Sequence, residues 1–358
     1  MNQIVRYLLG RSAATPNSGK LLVGASGLLD VASTAVCGIC TDPSGNVFVT
    51  DSEKHVVLKI DATGHVSTYA GLSGTSGNNG SSTVTGANAR FNKPQGITCD
   101  RNGVLYVADT GNNQIRRIDL NRNVGLLAGS STGESGFTDG ALLWARFDEP
   151  HGIAVDACGH IYVADGNNHS IRVIGLVSAK VSTVAGNGTP GDASGYGANA
   201  RFNHPQGVAV NPSGHVLVAD SDNHRLKIIY LGGPAFNFSG SGVSGTVVGV
   251  ASSCRYQTPR FCDCDRSGNW YVIDWTSGTS SRLVRVDPNG TSSLVIDFPN
   301  SEDPYVTGVA VDASGAMYVA MSGADILISS SSSSESSTEL SETSSVSSFS
   351  SNSVSSSS

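Results

Sequence analysis

Three segments, Pro94-Gln95-Gly96, Pro150-His151-Gly152 and Pro205-Gln206-Gly207, share one pattern with a polar residue at its centre. Weaker counterparts put Cys37, Arg260 and Thr307 at the same place. If these copies are arranged around an axis, Gln95, His151, Gln206 and Arg260 stand at the inner ends of strands, beside the mouth of a central channel. A polar ring at such a mouth is a small-ligand or ion site.

Other residues with chemical potential repeat too regularly to form a catalytic set. Asp51, Asp109, Asp165, Asp220 and Asp274 each follow an apolar run. An Asp opening a turn accepts N–H bonds from residues two or three ahead, so these carboxylates are expected to be structural. His55, His169 and His224 fall in the next turn and are expected to be exposed and too far apart for one metal ion. Cys262 and Cys264 lie two apart in an expected strand, on one face, and are expected to act as small buried hydrophobes. The chain has no nucleophile elbow, phosphate-binding glycine loop or His-Glu-x-x-His. No catalytic residue, metal or cofactor is therefore expected.

The elements that must position these residues follow from an internal repeat. Residues 94–109, 150–165 and 205–220 are three clear copies, and weaker ones begin near Gly38, Pro259 and Gly308. The period is roughly 55 residues. Each unit reads as four short strands. In one copy these are Gly96 to Cys99, Val104 to Ala108, Gln114 to Ile118 and Gly125 to Ala128, separated by turns rich in Asn, Asp and Gly. No stretch has sustained helical periodicity, so the class is all-β. Four-stranded units repeated radially make a six-bladed β-propeller.

The repeat resembles the NHL family, whose signature is Pro-x-Gly-Ile/Val-Ala-Val-Asp, then Gly-x-Leu/Ile-Tyr-Val-Ala-Asp, then Asn-x-x-Ile-Arg. Residues 150–174 carry it in full, and residues 94–118 carry it apart from Thr98 and Cys99. The copy at 205–229 departs at Asn211 and at Leu226-Lys227. The resemblance implies a closed propeller over residues 1–328. Pro150-His151 is also similar to the Pro-His motif of the peptidyl-hydroxyglycine lyases, NHL-like propellers with zinc on three such His. Only His151 matches, since Gln95 and Gln206 take two equivalent places, and amides are poor zinc ligands. The lyase carry-over fails on ligand count.

The ends bear on closure. Residues 2–9 parallel the third strand Gln114 to Ile118, and residues 20–24 parallel a fourth strand, so the N-terminus is expected to complete the last blade. Residues 325–328 are the competing third strand. Residues 329–358 are mostly Ser and too poor in apolar side chains to offset ordering entropy, so a disordered tail is expected.

Composition limits the partners. The formal net charge of −7 argues against a nucleic-acid binder held by phosphate contacts. No segment approaches the roughly 18 apolar residues of a membrane span. The seven cysteines lack mirrored spacing, and the first residues make too short an apolar run for a signal peptide. Synthesis in a reducing cytoplasm without ordinary export is the expectation, and the final location is left unknown.

A second repeated element, Ala-Arg-Phe at residues 89–91, 145–147 and 200–202, with Cys254-Arg255-Tyr256 as its fourth copy, suggests bracing between neighbours. The connections at 72–88, 130–144, 187–199 and 233–245 are long and unlike one another. Variable loops on a rigid scaffold are where recognition sits, with Phe137, Trp144, Tyr196 and Phe236 as aromatic anchors. The leading reading is a non-enzymatic module that binds a protein or glycan through this loop face. Its Ser-rich end and lack of an export signal suggest a phage virion or tail-associated protein. The alternative is a propeller-type lyase or hydrolase using the ring around His151.

Overall fold

Short runs of Val, Ile, Leu and Tyr alternate with turn residues, and each run forms a strand that a specific side chain ends. Asp42, Asp100, Asp156, Asn211, Asp265 and Asp312 each use one side-chain oxygen to accept the N–H groups two and four residues ahead. The glycine three residues on takes a positive φ in every case, from 80° at Gly214 to 88° at Gly159. That combination makes a tight hairpin turn between the first and second strands of each sheet.

The computed structural model describes residues 3–8, 35–80, 82–276, 280–298 and 305–322. Among these, five antiparallel blades have four strands in chain order, from the inside outward. The first blade is Val36–Thr41, Val47–Asp51, Val56–Ile60 and Val66–Ala70. The second is Pro94–Cys99, Leu105–Asp109, Gln114–Ile118 and Asn123–Ala128. The third is Pro150–Val155, His160–Asp165, Ser170–Gly175 and Lys180–Ala185. The fourth is Pro205–Val210, Val216–Asp220, Arg225–Ile229 and Ala235–Ser239. The fifth is Thr258–Cys264, Trp270–Trp275, Ser281–Val286 and Ser292–Phe298.

A further sheet has three strands, Tyr305–Val311, Ala316–Ser322 and Gln3–Leu8. Gln3–Leu8 runs antiparallel to Ala316–Ser322, with Gln3 opposite Met321 and Leu8 opposite Ala316. This is the third-strand place expected for residues 2–9. The expectations for residues 20–24, 325–328 and the Ser-rich segment 329–358 lie outside the described residues.

Neighbouring inner strands touch around a closed circuit, and Tyr305–Val311 contacts both Thr258–Cys264 and Val36–Thr41. Glycine makes this approach feasible. A methyl group at Gly207 would overlap the Arg260 carbonyl oxygen, and one at Gly308 would overlap the Cys37 carbonyl oxygen. The core lies between adjacent sheets. Tyr162, Ala164 and Ile171 of the third blade pack with Phe202, Val208 and Val218 of the fourth. Val36, Val47 and Val49 of the first pack with Ala310, Ala316 and Ala320 of the last sheet. Cys262 and Cys264, half-buried, pack against the core around Tyr256 and Trp270.

Two findings differ from the sequence expectation. The aspartates after the second strand are braced mainly by distant groups. Asp165 accepts the Asp148 N–H at 2.8 Å, the Asn168 amide at 2.9 Å and the Arg172 guanidinium at 2.6 Å. Asp109, Asp220 and Asp274 meet Arg116, Lys227 and Arg282 in the same way. Only Asp51 takes the N–H groups two and three ahead, and Leu58 stands where its counterparts have a basic residue. Burial pushes the carboxyls of Asp109, Asp165, Asp220 and Asp274 up to about 6, against the pull of their basic partners.

The basic residues also explain the Ala-Arg-Phe element. Arg172 lies 5.2 Å from the Phe147 ring centroid and donates to the Arg146 carbonyl at 2.9 Å. Lys227 does the same with Phe202 and the Arg201 carbonyl. The cation over each aromatic ring thus comes from the third strand, not from the adjacent Arg.

Candidate functional site at the proline-rimmed mouth

The residue before each strong proline is held in the left-handed region: Lys93 at φ 49°, Glu149 at 50° and His204 at 49°. A side chain of the preceding blade fixes each one. Lys93 N–H donates to His55 Nδ1 at 3.1 Å, Glu149 N–H to Asn113 Oδ1 at 2.9 Å, and His204 N–H to His169 Nδ1 at 3.0 Å. The half-buried His224 contacts the Gln257 carbonyl, and His55 and His169, also expected to be exposed, are half-buried latches between blades. Their job is to present the residue before proline at the mouth.

His151 is the centre of what they present. Its side chain is buried, and Nδ1 lies 3.0 Å from Gln95 Oε1 of the second blade. An amide oxygen can only accept, so this contact puts the proton on Nδ1 and leaves a lone pair on Nε2. Nε2 has no hydrogen-bonding partner in the protein, and its nearest carboxylate is Glu149 Oε2 at 3.9 Å. The His204 ring, from the fourth blade, crosses that of His151 at 71° with centroids 5.4 Å apart. Gln206 Nε2 lies 3.1 Å from His204 Nδ1. One ligand atom each from Glu149, His151 and His204 falls within 4.8 Å of the others.

Burial pushes the His151 imidazole down to about 3, and the neighbouring His204 and Arg260 push the same way. The ring is therefore neutral at physiological pH, the form that offers a lone pair. Gly166 makes room for it. Ser52, Thr110 and Ser221 occupy the equivalent position in other blades, whereas a methyl group at Gly166 would stand 2.7 Å from His151 Cδ2.

Of the expected ring, the fold brings Gln95, His151 and Gln206 near one another: Gln95 hydrogen-bonds His151, Gln206 hydrogen-bonds His204, and the two imidazoles meet edge to face. Arg260 is spread over the Trp275 ring at 3.6 Å. Cys37 Sγ donates to Ser52 Oγ at 3.4 Å, and Thr307 Oγ1 donates to the Ala320 carbonyl at 3.3 Å. Those last two face their own sheets. Glu149 and His204 were missed in the sequence because the alignment followed the residue after proline. The signal was the residue before it, where Lys93, Glu149 and His204 form a second series.

Below this mouth the channel narrows between Ile39, Ile97, Ile153, Val208, Phe261 and Val309. The opposite mouth opens into a cavity of about 210 Å³ bordered by Asp156, Asn211, Asp265 and Asp312. The turn bonds already described occupy an oxygen of each.

The loop aromatics are spread out. Phe137, 40% exposed, lies with its centroid 5.0 Å from the Arg172 guanidinium carbon. Trp144 is 75% exposed and Tyr196 65%. Phe236 departs from expectation: it sits in the outer strand Ala235–Ser239 and not in a connection. Gly232, at φ 64°, turns a hairpin closed by Gly233 N–H to the Tyr230 carbonyl, and the strand resumes at once. The connections also reach the outer edges. Val84–Thr85 and Gly140–Ala141 pair with the fourth strands of the second and third blades, which shields strand edges from foreign pairing.

Sheets of this order, arranged with their inner strands in a circuit, define a β-propeller. The NHL repeat matches residues 91–118, 147–174 and 202–229, so this β-propeller carries NHL repeats in its second, third and fourth blades. It is 28% identical over 213 residues to NHL repeat-containing protein 2 of Bos taurus, covering 51% of this chain and 29% of that protein. Teneurin-4 of Mus musculus is 25% identical over 285 residues, 69% of this chain and 9% of that protein. The chain thus spans less than a third of the length of these relatives. Among solved structures, a gluconolactonase from Xanthomonas campestris superposes with a TM-score of 0.55 at 14% identity, covering 81% of this chain and 86% of that one. A streptogramin B lyase gives 0.52 at 11% identity, with 81% and 94% covered. Likeness at such identity concerns the fold alone.

Proposed function

We propose that this propeller is a non-enzymatic recognition module that binds a protein or glycan through the face carrying its blade connections. The observation that carries the reading is Trp144. The residue is 75% exposed, yet its turn is tied down. Trp144 N–H donates to the Ala141 carbonyl at 2.8 Å, and the Arg146 guanidinium donates to the Trp144 and Ala145 carbonyls at 2.9 and 3.0 Å. A large aromatic carried on a turn fixed before contact binds without the cost of ordering that backbone, which is how interface anchors act. Tyr196 extends the same set, and Gln95, His151, Gln206 and Arg260 supply a polar centre.

In this reading the propeller has six blades, the three-stranded sheet being the last, and the approach of Gly308 to Cys37 supports that count. Nucleic acid is not an expected partner, on the charge of −7. Among the described residues no helix is long and apolar enough to cross a membrane. The virion role suggested by the sequence gains no support from the relatives named above, and the proposal omits it.

A glycan array and cross-linking to candidate protein partners test the proposal with wild type and a Trp144→Ala/Tyr196→Ala variant. The expected outcome is a ligand whose binding falls at least about tenfold in the variant. Equal binding by both proteins would overturn it. A second reading, a lyase or hydrolase at the mouth, is favoured by one observation, the Gln95-oriented His151 with its unpartnered Nε2.

A further inference from the structure

We infer that Glu149, His151 and His204 form a binding site for a single divalent transition-metal ion of the zinc class. The inference is independent of the recognition reading above. Three observations converge on it. One ligand atom from each residue lies within 4.8 Å of the others, and closing the set needs a movement of roughly 1 Å, since tetrahedral zinc takes N and O donors at about 2 Å. Glu149 is exposed and free to make that movement.

Second, the His151 side chain is only 9% exposed, and its Nε2 finds no partner in the protein while facing Glu149. A buried polar atom left unmatched within the protein is costly unless something else meets it. Third, Gln95 holds Nδ1, which fixes the ring so that the Nε2 lone pair is directed into the cluster. Metal-bound imidazoles are commonly held this way by a second residue.

Two imidazoles and a carboxylate suit zinc, copper or nickel better than the oxygen-seeking calcium or magnesium. Three protein donors leave a fourth position, which would be taken by water or by a group of a ligand entering the mouth. The Arg260 charge nearby favours an anionic occupant there.

The test uses the full chain freed of metal by a chelator and titrated with zinc by calorimetry. Cobalt(II) serves as an optical probe of four-coordinate geometry. One ion per chain is expected, with the visible bands of tetrahedral cobalt. Glu149→Gln, His151→Ala and His204→Ala should each weaken binding at least about tenfold, and Gln95→Leu should weaken it about 10- to 100-fold. His160→Ala, which removes an exposed histidine paired with Asp156, should leave affinity unchanged. Circular dichroism checks that the variants fold, and Glu149→Gln alters an exposed side chain whose loss leaves the core intact. Absence of stoichiometric binding, or affinity indifferent to His151→Ala and His204→Ala in folded protein, overturns the inference.

Discussion

Arg172 donates to the Asp165 carboxylate at 2.6 Å, and neither side chain has any exposed surface. The same guanidinium reaches the Arg146 and Thr138 carbonyls at 2.9 Å and Asp139 at 2.6 Å. One residue therefore ties the third blade to the connection that precedes it. Arg172→Ala leaves Asp165 buried without its countercharge and should cost about 3–5 kcal/mol at neutral pH. Urea unfolding measures it, and a loss under about 1 kcal/mol would remove the bracing role.

Asp51 offers the contrast. Its Oδ2 is buried with no partner, because Leu58 replaces the basic residue of the other blades. Asp51→Asn should change stability by no more than about 1 kcal/mol, whereas Asp165→Asn should cost more, since it weakens a charged hydrogen bond. Equal losses in paired denaturation curves would contradict this account.

Gly166→Ala probes the space behind His151. Its backbone φ is not in the left-handed region, so the effect comes from the contact with Cδ2 at 2.7 Å. The imidazole should be displaced from Gln95 at a cost of about 1–3 kcal/mol. Nitrogen chemical shifts of the His151 ring, read by NMR, should move. An unchanged spectrum would mean that the ring was never confined there.

Acid sensitivity follows from the same histidine. Its folded pKa is depressed to about 3, whereas an unfolded histidine titrates near 6.5. As pH falls below about 6.5 the unfolded chain takes up a proton that the folded chain refuses, so stability is lost down to about pH 3. The buried aspartates, raised to about 6, contribute with the opposite sign. Comparing metal-free wild type with His151→Gln cancels them. The variant should gain about 3 kcal/mol relative to wild type between pH 7 and pH 4, and parallel pH profiles would count against a neutral buried His151.

The strands were legible because each Pro-x-Gly start and each Tyr-Val-Ala-Asp end is set by local rules of turn and alternation. The partners of Asp165 were not. Arg172 lies seven residues on across a turn, and Asp148 belongs to the previous connection, so neither follows from local pattern. The cluster at the mouth was half visible. His151 stood out, but His204 belongs to the next blade and becomes its neighbour only when the blades pack together. Phe236 was misplaced because Gly232-Gly233-Pro234 reads as a loop when it is a hairpin followed directly by strand.

The pairing of Gln3–Leu8 with Ala316–Ser322 imposes an order on assembly. More than three hundred residues separate the partners, so during synthesis the opening strand must stay unpaired until the far end of the ring has left the ribosome. Joining such remote segments is entropically slow, which makes this junction the expected late step of folding and a natural place for the ring to spring open.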